Sequence, residues 1–310
     1  MKETKGGECM TTKTWLKKNT ASLAGKTVAI SGSTGGLGKA LCEHLAALDA
    51  RLVLLDRNQA RVQALCADLK RKYPQVKVGF VLMDLTDIAS VEQAAEILCT
   101  QRIDVLICNA GAYEVPRFIT SSGLDNVFQI NHAAPYYLIH RLMPHLAKWQ
   151  GRVVVVGSVA HNYSKTDPND VDFRTRTKSS LVYGNAKRYL MFSMYELFRD
   201  QTQVSVSVTH PGISVTGITA HYPKWLYAII KYPMKIIFMK PRRASLSILR
   251  GVFAPTDYCE WIGPRFFDVW GTPRARLLKT CTSEERERIK AEAERIYLDM
   301  CRQNGKEDGV

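Results

Sequence analysis

An α/β fold built on a doubly wound parallel sheet is what this sequence predicts, on three observations. From Thr27 onward, short β-branched or apolar runs alternate with longer amphipathic stretches, the order of a parallel sheet covered by helices on both faces. The first of these runs leads into Ser31-Gly32-Ser33-Thr34-Gly35-Gly36-Leu37-Gly38, and a helical pattern follows at once, the strand-turn-helix context of a dinucleotide site. No repeat, low-complexity tract or Pro/Gly/Ser linker interrupts the alternation, so a single Rossmann-type domain is expected over residues 26–275.

Strands are expected at 27–31, 51–55, 77–83, 104–108, 152–157 and 203–209. Helices are expected between them at about 36–48, 58–72, 87–99, 122–147 and 180–200, where apolar residues recur at helical spacing. Three regions fall outside this core. Residues 1–25 are polar and read as a loose peripheral segment, and 217–243 form an insertion rich in aromatics and lysines. Residues 276–310 hold a charged terminal helix and tail; the Glu/Arg spacing over 282–302 suits exposed pairs, so a solvated cap is expected.

With 310 residues and 46% hydrophobic content the chain can bury a substantial core. Its formal charge of +14 raises nucleic-acid binding, but no nucleic-acid module is visible and none is expected. A basic surface equally attracts acidic lipid or an anionic cofactor. The eight cysteines show no C-x-x-C spacing and read as free thiols of a reducing compartment. No signal-like run or uncharged stretch of 18 residues occurs, so a cytoplasmic location is expected. No His/Cys/Asp cluster has ligand spacing, and no metal is expected.

At the glycine turn, Gly32, Gly36 and Gly38 permit a tight bend and a close approach of backbone N–H groups to phosphate, with Ser33, Thr34 and Leu37 lining it. Asp56 closes the second strand, where a carboxylate accepts hydrogen bonds from ribose hydroxyls and repels a 2′-phosphate, favouring NAD. Arg57 advises the opposite, since a guanidinium pairs with that phosphate. The absence of a basic residue at Thr34 or Gly35 tilts the reading toward NAD over NADP. Asp84 and Leu85 end the third strand within reach of an adenine; for Asp84 the rival role is a helix N-cap near Asp87.

Tyr183 and Lys187 stand four residues apart in a helical stretch and share a face. The ammonium is expected to lower the phenol from its usual value of about 10. A phenol that exchanges protons beside a nicotinamide site is what hydride transfer to or from a carbonyl requires. On these residues the chain reads as an oxidoreductase; the alternative is a nucleotide-binding regulatory or scaffold protein of the same fold without turnover.

Over residues 25–275 the chain resembles the short-chain dehydrogenase/reductase family, on Gly32-x-x-x-Gly36-x-Gly38, Asn109-Ala110-Gly111, Asn131, Ser158, Tyr183-x-x-x-Lys187 and Pro211-Gly212. It is most similar to the retinol dehydrogenase and lipid-carbonyl reductase branch, on Gly157-Ser158-Val159-Ala160-His161, His210-Pro211-Gly212 and the long segment after Thr216. The resemblance implies that Tyr183 is the acid or base, Lys187 binds the nicotinamide ribose, Ser158 bonds the substrate oxygen and Asn131 holds a relay water. It places Asn109, Ala110 and Gly111 along the cofactor cleft, and Pro211, Gly212, Ile213 and Thr216 beside the nicotinamide. His161 is expected to be structural. The Asp56-Arg57 pair departs from the Cys-Arg ending usual in the NADP-using retinoid branch, and the polar stretch 165–178 lengthens the interval between Ser158 and Tyr183. A homodimer is expected by resemblance alone.

Between Thr216 and Ala244 the aromatics alternate with Lys224, Lys231, Lys235 and Lys240, and no acidic residue occurs from Gln201 through Thr256. By resemblance this stretch is a lid over the substrate, a small molecule expected to be a large apolar carbonyl or alcohol. Its basic, aromatic character also suits peripheral contact with an anionic membrane surface.

Overall fold

The computed structural model describes residues 11–212 and 239–306. β1 (Thr27–Ser31), β2 (Arg51–Asp56), β3 (Val78–Leu82), β4 (Val105–Cys108), β5 (Arg152–Val156) and β6 (Ser205–Thr209) stand where the hydrophobic runs put strands. The sheet runs β3-β2-β1-β4-β5-β6 in parallel, then continues through β7 (Glu260–Phe266) and the antiparallel β8 (Trp270–Leu277). Strand order reverses between β1 and β4, which opens a crevice at the carboxyl ends of these strands.

The two-residue period of β1 divides the core. Val28 and Ile30 join a cluster with Leu41 and Leu45 of α2 (Gly36–Ala46) and Val62 of α3 (Gln59–Lys72). Ala29 joins the cluster on the other face, with Val91 of α4 (Ile88–Cys99) and Leu142 of α6 (Ala134–Ala147). The helix expected over 122–147 is built in three pieces: α5 (Asn126–Phe128), a π-helical turn over Gln129–Ala133, and α6. α7 (Ser179–Leu197) is buried over most of its length between the sheet and its neighbours.

Three differences from the sequence pattern have physical causes. β7 and β8 carry prolines that mask a strand pattern; Pro264 and Pro273 face each other across the pair, tolerated beside a bulge at the sheet edge. Residues 12–19 of the segment expected to be loose form α1 (Thr12–Asn19), anchored by Trp15, which is 3% exposed. The terminal helix α10 (Ser283–Gln303) is no solvated cap. Ile289, Ala293, Ile296 and Met300 form a buried stripe at steps of four, three and four, hidden among charges, and the helix packs on α7. β8 also carries the sheet two residues past the expected limit at 275. After β6 the described chain resumes at Met239 and continues through α8 (Pro241–Ala244) and α9 (Leu246–Phe253). The lid insertion, apart from residues 239–243, lies outside the described residues, as do Ile213 and Thr216.

Candidate active site

The turn after β1 is shaped by what its glycines lack. Gly32 has φ +66° and lies so close to Ala110 that a Cβ would stand 2.7 Å from its Cα. A Cβ on Gly38 would fall 2.2 Å from the Gly32 carbonyl oxygen. α2 starts at Gly36 with no side-chain cap and no acidic residue in its first turn, and Gly35 and Gly36 are exposed. Its first N–H groups are therefore open to an anion, the donor set a pyrophosphate needs.

Asp56 holds this turn from below. Its Oδ2 accepts from the Thr34 amide at 3.1 Å and the Thr34 hydroxyl at 2.8 Å, with the Ser33 hydroxyl at 3.5 Å, and its Oδ1 accepts from the Asn58 amide at 3.3 Å. Arg57 is exposed, 3.9 Å from Asp84. A third charged group, which the sequence reading did not single out, joins them: Arg61, one turn into α3, donates from Nη2 to the Thr34 carbonyl at 3.3 Å. Asp84 caps no helix; it accepts from the Thr86 amide and hydroxyl at 2.9 and 2.8 Å, while Asp87 caps α4. The Leu85 side chain is buried in the core and its carbonyl accepts from Gln129.

Across the crevice, Asn109 donates from Nδ2 to the carbonyls of Ser31 and Gly32 at 3.0 and 3.1 Å, and the Ser31 hydroxyl accepts from the amides of Asn109 and Ala110. These bonds lock the end of β4 to the glycine turn. Asn131 sits in the π-helical turn, fully buried, donating to the carbonyls of Ala112 and Val127 at 2.8 Å each and accepting from the Ala112 amide. A Cβ on Gly111 would stand 2.8 Å from Asn131 Oδ1 and 3.6 Å from Lys187 Nζ. Gly111 therefore keeps a polar space open beside both side chains.

Ser158 follows β5 and caps the 3-10 turn Val159–Asn162, its Oγ accepting from the Ala160 amide at 3.2 Å. It also shares a hydrogen bond with Tyr183. Gly184 lets α7 lie against this turn: a Cβ there would meet the Ala160 carbonyl at 2.4 Å. Lys187 is buried, with Nζ donating to the Val156 carbonyl at 2.9 Å and lying 5.7 Å from the Tyr183 ring centroid.

The electrostatics differ from the expectation in one respect. Burial pushes the Tyr183 phenol up to about 12, offset in part by the Ser158 hydrogen bond and reinforced by Tyr113 and Tyr163. Burial brings Lys187 down to about 8. The expected lowering of the phenol by Lys187 is absent because the ammonium is turned to the Val156 carbonyl and desolvation dominates both groups. At neutral pH the phenol holds its proton.

The glycine turn with its free helix N-terminus, and the polar space beside Gly111, lie at one end of the sheet with Ser158, Tyr183 and Lys187. A nicotinamide dinucleotide fits this arrangement. Comparison with known proteins agrees. The family model described as short chain dehydrogenase matches residues 26–169. Dehydrogenase/reductase SDR family member 13 of Bos taurus is 30% identical over 74% of this chain and 62% of its own length. Human retinol dehydrogenase 14 is 31% identical over 64% of each chain. The chain belongs to the short-chain dehydrogenase/reductase family. Within it, this chain stands in the retinol dehydrogenase-like branch.

Among solved structures, an uncharacterized protein from Mycobacterium paratuberculosis shares the fold with a TM-score of 0.68 over 94% of this chain and 98% of that one, at 24% identity. A short-chain dehydrogenase from Sphingobium yanoikuyae, in complex with NADPH, has a TM-score of 0.57 over 73% and 83% of the two chains, at 26% identity. The chain spans just over three fifths of the length of the curated relatives it matches, 62% and 61% for the first two.

The remaining site residues of this short-chain dehydrogenase/reductase lie around the same cleft. Pro211 and Gly212 follow β6; Gly212 has φ +80°, and a Cβ there would meet the Val269 carbonyl at 2.6 Å. His210 stacks on Trp261, and burial holds it down at about 4. His161 is structural, as expected, its ring bonded to the Ser158 carbonyl and the Thr280 hydroxyl. The 165–178 stretch is pinned by Asn185 to the Val171 carbonyl and by the Asp125 amide to Asp172. Tyr113, which the sequence reading passed over, packs edge-on to Tyr183 with ring centroids 5.2 Å apart; its place four residues after Asn109 was the available signal. Among the described residues no helix is long and apolar enough to cross a membrane.

Proposed function

We propose that this protein transfers a hydride between NAD(P) and an alcohol or its carbonyl on a lipophilic skeleton. The observation that carries this reading is the convergence of Ser158, Tyr183 and Lys187 beside the space that Gly111 keeps open. When bound, the nicotinamide supplies or accepts the hydride. Ser158 holds the substrate oxygen next to the phenol. Tyr183, protonated at rest, donates its proton to that oxygen in the reducing direction and takes it back in the oxidising one. Lys187, brought down to about 8 by burial but still an ammonium at neutral pH, sits where a ribose hydroxyl would replace the Val156 carbonyl as its partner. Asn131 orients the groups beside Ala112 and Gly111.

Asp56 supports NAD, because its carboxylate stands at the end of β2 and would repel a 2′-phosphate. A second reading, NADP, is favoured by Arg61, which with Arg57 brings two guanidiniums to the rim of the turn while Asp56 is occupied by Thr34 and Ser33. The lipophilic substrate is supported by the aromatic composition of 217–243 and by the retinol dehydrogenase relatives. Peripheral contact with an anionic membrane rests on the lysines of the same segment, and a homodimer on family likeness. A matrix of NADH and NADPH against retinal, steroid ketones and simple aryl carbonyls tests the reading. Turnover highest with bulky apolar carbonyls is expected; cofactor binding with no turnover across the matrix would replace it with a silent nucleotide-binding protein.

A further inference from the structure

The 3-10 turn that carries Ser158 is held from a direction the catalytic motif does not include. The Ser158 carbonyl accepts twice from His161, from its amide at 3.1 Å and from ring Nδ1 at 2.7 Å. A carbonyl can only accept, so Nδ1 carries the proton and Nε2 of the neutral ring accepts from the Thr280 hydroxyl at 2.9 Å. Thr280 stands just before α10. Arg188, adjacent to Lys187 in α7, closes the circuit: Nη1 donates to the His161 carbonyl at 3.1 Å and Nη2 to the Thr280 carbonyl at 2.6 Å. Its Nε and Nη2 also meet the two carboxylate oxygens of Glu285, in the first turn of α10, at 2.7 and 2.5 Å. Both side chains are buried, at 3% and 6% exposure, and Glu285 also accepts from the amide and hydroxyl of Thr166.

Arginine is the one side chain that can serve this junction, because only a guanidinium presents a fork of donors to a carboxylate and two carbonyls together. One face of α7 thus bears Tyr183 and Lys187, while the next residue ties the Ser158 turn to the terminal helix. We propose that Arg188, Glu285 and Thr280 are positioning residues that set Ser158 against Tyr183, so that α10 is part of the catalytic apparatus although it lies beyond the catalytic motif. This rests on the hydride-transfer reading given above.

Arg188→Lys tests it. The ammonium can still pair with Glu285 but cannot also bridge the carbonyls of His161 and Thr280. The expected result is a kcat reduced by about 10- to 100-fold, up to the loss that a misplacement of about 1 Å produces, with an unchanged cofactor Kd. Amide hydrogen exchange over residues 158–163 should become faster. Thr280→Val, a smaller change that removes only the hydroxyl donated to His161, should move both quantities in the same direction and covers the case in which Arg188→Lys does not fold. Wild-type kcat and wild-type exchange in a folded variant would overturn the proposal. So would a loss of kcat without faster exchange at 158–163, or equal losses of kcat and cofactor affinity, which would mark general damage. If the wild-type protein turns over no carbonyl with either cofactor, the hydride-transfer reading fails, and the exchange measurement still decides whether α10 governs the Ser158 turn.

Discussion

The two ends of the active-site cleft are stabilised in different ways. At the cofactor end, the glycine turn is held by Asp56 from the next strand, Arg61 from the next helix, and Asn109 from the end of β4, on the other side of the switch point. At the catalytic end, the Ser158 turn is held by Arg188, Thr280 and Glu285, and the Arg188–Glu285 pair spans 97 residues of sequence. The first arrangement depends on backbone shape, which glycines record in the sequence. The second depends on a buried ion pair and its carbonyl partners, which leave no local pattern. Loss of a partner at the first end should therefore affect binding, and at the second, rate.

The largest effect at the cofactor end is expected from Gly38→Val. Its Cβ would fall on the Gly32 carbonyl oxygen, which cannot move without reshaping the turn. Overpacking of this kind costs about 1–3 kcal/mol, so cofactor affinity measured by titration should fall by about 10- to 100-fold. Unchanged affinity would show that the turn does not seat the cofactor.

Asp56→Ala should weaken NADH and NADPH alike, because the carboxylate ties down Thr34 and Ser33 of the turn. A clean switch of preference toward NADPH in kcat/KM would contradict this and restore the simple repulsion reading. Arg57→Ala combined with Arg61→Ala should harm NADPH use selectively. Equal effects on the two cofactors would remove both guanidiniums from phosphate recognition.

A smaller, graded effect is expected from pH. Burial holds His161 and His210 at about 4 and His132 at about 3, well below the ordinary value of 6.5. Between these limits the unfolded chain binds more protons than the folded one, so stability rises with pH there. Stability is fully present above about 6.5 and is lost progressively as pH falls toward 4. Glu285, held at about 2 against the raising effect of burial by Arg188, Thr166 and Cys281, extends the loss below 4.5. The melting temperature should therefore decline from pH 7 to pH 4.5; a flat profile would mean that these histidines are not buried as neutral rings.

The sequence shows the parts of this molecule whose chemistry is local. The six strand positions of the parallel sheet follow from β-branched runs, and the tight turn after β1 follows from the glycines that begin at Gly32. Ser158, Tyr183 and Lys187 were each identified, and the fold brings them together. β7 and β8 were not legible because their prolines and arginines break the alternation, and only pairing at the sheet edge makes them strands. α10 was misjudged because its charged residues outnumber the apolar stripe from Ile289 to Met300 that docks it. The Tyr183 phenol was misplaced because helical spacing sets which residues share a face but does not reveal that Lys187 turns its ammonium to a strand carbonyl.

Tyr183→Phe tests the central claim most directly, because it removes one hydroxyl and keeps the ring against Tyr113. Turnover and cofactor binding should be measured on the same preparation. The account predicts a kcat lower by about 10²–10⁴-fold, the usual worth of a positioned acid, with cofactor affinity close to that of the wild type. A variant that turns over within about tenfold of the wild type, well short of that range, would contradict it.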